Sequence, residues 1–144
     1  MDEPLTEELL NELLASSDPN DFVGQLPANK RELAPYLNEM LVVHGKERNE
    51  VIHASNLDHT YAYQILAGTR ANPSRNKILQ LAFAIGLTPR ETDRALQAGG
   101  KSRLYCKDRR DAIIIYAVEN GLTLAECDDE LYRLGEATLV SREG

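Results

Sequence analysis

Tryptophan is absent from this 144-residue chain, and phenylalanine and cysteine occur only twice each. Cys106 and Cys127 are too few and too widely spaced for a disulfide framework or a CxxC zinc site, so both read as reduced thiols. No stretch approaches the ~18 consecutive apolar residues that a membrane span requires. The opening MDEPLTEELL also lacks the basic n-region of a secretory signal. These absences predict a cytoplasmic protein, and an apolar fraction of 42% is enough to build a core. His44, His53 and His59 are dispersed, with no HExxH pattern and no cysteine at ligand spacing, so no metal or other cofactor is predicted. No serine or cysteine nucleophile has a histidine placed by a catalytic motif, which predicts a non-enzymatic protein.

Charge is unevenly distributed. The net charge of −7 argues at first against a polyanionic partner, because phosphate neutralisation by Lys and Arg supplies most sequence-independent affinity for nucleic acid. Residues 1–29 carry seven acids and no base, however, while residues 30–100 carry seven acids and nine bases. No acid occurs from His59 to Arg90, thirty-two residues that include Arg70, Arg75, Lys77 and Arg90. A phosphate-facing surface needs such a stretch.

The organisation reads as helical throughout, which predicts an all-α fold. Residues 1–29 form an acidic helical N-terminal extension, with Leu5, Leu9, Leu10, Leu13 and Leu14 at helical spacing before the breaker Ser16-Ser17-Asp18-Pro19-Asn20. Its leucines predict packing on the body or on a second subunit, and its charge predicts electrostatic restraint of anion binding. A module at 30–100 begins with a helix near Pro35 to His44, stopped by Gly45, and closes with a helix from Thr88-Pro89-Arg90-Glu91, a capping box with proline at the first helical position. Gly99-Gly100 then breaks the chain before a C-terminal helical extension, 101–144. There Ala112 to Val118 is an apolar run that periodicity alone does not assign, and we expect a buried helix ending at Gly121. A second capping box, Thr123-Leu124-Ala125-Glu126, starts a last helix with Leu124, Cys127, Leu131 and Leu134 inward. Asp128, Asp129 and Glu130 read as a solvated face, and Val140 to Gly144 as a frayed end. Gly99-Gly100-Lys101-Ser102 imitates the end of a phosphate-binding loop but follows a helix where that motif follows a strand, so nucleotide binding is not predicted.

The densest information lies in Asn49 to Gly68, NEVIHASNLDHTYAYQILAG. Val51 and Ile52 close a first short helix, Ser55-Asn56-Leu57 turns with Asn56 placed for the left-handed conformation, Asp58 caps a second helix from His59 to Ala67, and Gly68 ends it. This window resembles the helix-turn-helix of phage-repressor-like regulators, the lambda repressor, Cro and xenobiotic-response-element class. The likeness continues through Asn72-Pro73-Ser74 and the helix Asn76 to Ile85, within which the run LQLAFAIGL begins, covering roughly 34–98. Where that class usually has a small alanine in the first helix this chain has Ile52, and where it usually has isoleucine or valine in the second it has Ala62. The swap conserves total volume if the two positions face each other as the resemblance implies.

The resemblance implies a five-helix repressor-like module in a bacterial transcriptional regulator that binds double-stranded DNA, as a homodimer because one recognition helix reads only a few base pairs. With Ala62 and Ile65 inward, the outward residues of the second helix are His59, Thr60, Tyr61, Tyr63 and Gln64. Gln64 matches adenine N6 and N7 by residue type, Thr60 a thymine methyl or a phosphate, and the tyrosine hydroxyls phosphate. Arg70, Arg75 and Lys77 fall where the class contacts the DNA backbone. A longer likeness, over 34–139 and including RRDAIII, is to bacterial regulators of this type that work with serine/threonine kinases. It implies the alternative of a protein-binding adaptor or kinase substrate, with Thr138 as candidate phosphosite.

Overall fold

Local capping signals decide where most of the helices start. The computed structural model describes residues 33–70 and 72–140, which lie within one compact unit, 31–144. Among these residues there are seven helices and no strand, so the fold is all-α. They are α1 (Leu33–Val43), α2 (Arg48–Ala54), α3 (His59–Ala67), α4 (Arg75–Ile85), α5 (Pro89–Ala98), α6 (Arg109–Glu119) and α7 (Leu124–Arg133). None of the seven is long and apolar enough to cross a membrane. The leucine stripe and acidic extension expected at 1–29 lie outside the described residues, as do the last four positions.

Both capping boxes form as the sequence predicts. Thr88 Oγ1 accepts from the Glu91 amide at 3.2 Å while Glu91 Oε1 accepts from the Thr88 amide at 3.0 Å, and Pro89 opens α5. Thr123 and Glu126 repeat the arrangement at α7. Asn56 is the one non-glycine residue with positive φ among the described residues, at 60°, and carries the turn between α2 and α3. Asp58 accepts from the Tyr61 amide at 3.0 Å, and Gly68 closes α3 with φ of 85°.

One core runs through the unit. Helix α1 packs on α3 and α5, α4 on α2, α5 and α7, and α6 on α5 and α7. Val51, Ile52, Ala62 and Ile65 are all buried in it, together with Ile78, Leu79, Leu96, Ile114 and Leu131. Burial of such side chains removes ~25 cal/mol per Å² of apolar surface from unfavourable contact with water, and this is the main force behind the packing.

Three expectations for the C-terminal part require correction. The run Ala112 to Val118 is a helix but not a buried one. Only Ile114 and Ala117 are buried there, Ile113 and Val118 are half-buried and Tyr116 faces solvent, because among the described residues α6 packs on α5 and α7 through one face. The acidic trio is not wholly a solvated face. Asp128 is buried, accepting from the Leu139 and Val140 amides at 2.6 and 3.0 Å. Through these bonds Val140 is latched to α7, not frayed, and Leu139 is buried in the core.

Candidate nucleic-acid interface

The angle and height of α3 are fixed from beneath by polar side chains inside the core. Ser55 is fully buried, donating from Oγ to the Ile52 carbonyl at 2.8 Å and accepting from the Leu57 amide at 3.2 Å. Its carbonyl accepts from Nε2 of the buried Gln80 on α4 at 3.0 Å. At the other end of α3, Asn38 of α1 donates to the Leu66 carbonyl at 2.8 Å. A buried polar group that lost such a partner would cost about 1–3 kcal/mol, so the turn and helix are held with little freedom. Neither Gln80 nor Asn38 was singled out from the sequence. The one available signal for Gln80 was a lone polar side chain inside LQLAFAIGL.

Outward from this support, His59 and Thr60 are exposed, Tyr63 is 52% exposed, and Tyr61 and Gln64 are half-buried. A shallow groove between α2 and α3 is lined by Asn49, Ile52, His59, Thr60 and Tyr63. Cations gather on the two tyrosines. The Arg70 guanidinium lies 4.5 Å and the Lys77 ammonium 5.2 Å from the Tyr61 ring centroid, and Arg48 lies 5.5 Å from that of Tyr63. Such contacts hold a charge in place at an exposed site without neutralising it. Arg48, at the start of α2, belongs to this surface although the acid-free stretch does not include it. Arg70 also donates to Gln64 Oε1 at 3.0 Å.

Arg75 is placed differently from its expected group. Its guanidinium makes two bonds to the Asp111 carboxylate, at 2.9 and 2.8 Å, and donates to the Ser102 and Arg103 carbonyls at 3.1 and 3.0 Å. Asp111 is buried. Burial alone would raise its pKa, but bonds from Arg75 and the Tyr105 amide and the charges of Arg75 and Arg110 hold it below the ordinary carboxylate value. Arg75 therefore joins α4 to α6 and does not project with Lys77. The GGKS segment is tied into the fold at both its glycine and its lysine. A side chain at Gly99 would meet Ile78 Cδ1 at 2.5 Å, and Lys101 Nζ donates to Asn72 Oδ1 at 3.1 Å.

The remaining candidates lie apart from α3. Thr138 is half-buried. Its hydroxyl donates to the Val140 carbonyl at 2.8 Å, and its own carbonyl accepts from Arg110 at 3.2 Å. Both cysteines are free; burial and the Asp128 charge push the Cys127 thiol up to about 12, which suits packing and not nucleophilic attack. His44 bonds Glu91 at 2.8 Å, joining the end of α1 to α5, and His53 meets His59 edge-on with ring centroids 6.4 Å apart. Among the described residues no three His, Cys, Asp or Glu side chains gather within reach of a common metal ion. Comparison with known proteins finds no family model, no curated protein and no solved structure that matches this chain.

Proposed function

We propose that the chain is a sequence-specific, double-stranded-DNA-binding transcriptional regulator whose α2, turn and α3 form a helix-turn-helix of the phage-repressor type. The observation that carries this reading is the α3 surface itself. A short helix, braced from below through Ser55–Gln80, presents His59, Thr60, Tyr63 and Gln64 outward with the cations of Arg48, Arg70 and Lys77 on its tyrosines. A helix of nine residues with polar and aromatic side chains outward fits the major groove, and flanking cations supply phosphate contacts. Arg75 has no part in this interface, since Asp111 already satisfies it. Two copies bound as a homodimer would extend the few base pairs that one α3 reads to a usable site.

Titration of the full chain with random-sequence duplex DNA at increasing salt tests the reading. Affinity should fall steeply as salt rises, in proportion to the phosphates neutralised. Absence of binding at low salt would overturn it. The adaptor or kinase-substrate alternative draws no comparable support, because the Thr138 hydroxyl is already bonded within a latched segment.

A further inference from the structure

Gln64 and Arg70 form one side-chain unit at the end of α3, and its hydrogen-bonding character differs from that of either residue alone. The loop after α3 folds back on the helix. The Thr69 and Arg70 amides both donate to the Gln64 carbonyl, at 3.0 and 3.2 Å, and Thr69 Oγ1 donates to the same oxygen at 3.3 Å. This return sets the Arg70 guanidinium against the Tyr61 ring, and Tyr61 lies three residues before Gln64 on the same face of α3. From there Nη2 donates to Gln64 Oε1 at 3.0 Å. The orientation of the Gln64 amide follows from chemistry: a guanidinium carries donors only, so the group facing it is the oxygen.

A glutamine free of neighbours matches adenine by accepting from N6 and donating to N7. With Oε1 turned to Arg70 and one of its two lone pairs engaged, the groups left for a partner are mainly donors, the Gln64 amide N–H and the remaining guanidinium N–H groups. On the major-groove edge guanine presents two adjacent acceptors, N7 and O6, whereas adenine puts a donor at N6 beside its N7. We propose that Gln64 and Arg70 act as a composite donor that selects guanine over adenine, with Tyr61 setting the position of Arg70. The inference rests on α3 being the groove-reading helix, and it replaces the adenine match expected from the residue type of Gln64.

The test is selection of duplexes from a randomised pool with the full chain, followed by affinity measurements with each base at every selected position. One position should require guanine, with adenine bound about tenfold more weakly or worse. Replacing that guanine by 7-deazaguanine, which lacks the N7 acceptor, should weaken binding. Arg70→Met keeps an unbranched stem beside Tyr61 while freeing Gln64 Oε1, and should move the preference to adenine at that position; Gln64→Ala should flatten it. Enrichment of adenine by the wild-type chain where Gln64→Ala acts, or a guanine preference unchanged by Arg70→Met, overturns the composite reader. A selected sequence in which no position responds to either substitution overturns the reader alone. Failure of the wild-type chain to bind any duplex overturns the groove-reading assignment and the reader together.

Discussion

The cations around α3 and those that gather at the junction of α4 and α6 are chemically alike and placed to opposite ends. Arg70 and Lys77 lean on the face of Tyr61, and that contact leaves their charge unneutralised. The Arg70 guanidinium gives one bond to Gln64, whereas Arg75, Arg109 and Arg110 each have two or more donors taken by oxygen acceptors that the fold supplies. Arg75 bonds Asp111 and two carbonyls, Arg109 bonds Glu136 and the Leu134 carbonyl, and Arg110 bonds Asn76 and the Ala137 and Thr138 carbonyls. Arg75 and Lys77 stand two residues apart in one helix and fall in different classes. What fits a basic residue to serve a polyanion is therefore how few of its donors the fold already uses, which a count of charges does not reveal.

The largest expected effect concerns the platform beneath the open cations. Ile52→Ala should destabilise the protein by about 2–5 kcal/mol in denaturant unfolding, by lost burial and a residual cavity. Adding Ala62→Ile should recover a large part of that loss if the two buried side chains meet; strict additivity would separate them. Next, Arg75→Ala should cost about 2–4 kcal/mol by leaving the buried Asp111 carboxylate without its partner, while the salt dependence of DNA binding stays unchanged. A fall in the salt slope of that variant would erase the distinction between the two sets of cations.

The pH dependence sharpens the same contrast. Asp111 is held below its ordinary value, so its contribution is complete above about pH 4 and is lost as pH falls through the lower folded-state value. Glu91 has the same sign. Burial would raise it, but hydrogen bonds from the Thr88 amide and His44 bring it below the ordinary range. Asp111→Asn should be less stable at neutral pH and show a shallower loss of stability on acidification, followed by unfolding at each pH. The smallest effect is expected for Lys77→Ala. Stability should change little, and the slope of log affinity against log salt should fall by about 0.9, the signature of one lost phosphate contact.

Much of the fold was legible because its signals are local. Asp58, Thr88, Thr123, Asn56 and Gly68 each act on backbone within a few residues, and the helix boundaries followed from them. Contacts between distant residues were not legible in this way. Gln80 meets Ser55 twenty-five residues away, Arg75 meets Asp111 at thirty-six, and Asp128 bonds Leu139 at eleven. Nothing in spacing or residue type marks those partners, so Asp128 read as solvated and the tie of Arg75 to α6 stayed hidden. The outward residues of α3 were legible as a set from the helical period, but the Gln64–Arg70 bond depends on how the following loop folds back.

Amide hydrogen exchange of the full chain, with and without duplex DNA at low salt, bears most directly on the claim that α3 is the DNA-contacting element. Slower exchange on DNA addition is predicted for residues 59–70 and the first turn of α4, with residues 109–140 unchanged. Slowing confined to 109–140, or DNA binding that leaves 59–70 unaffected, would contradict the account.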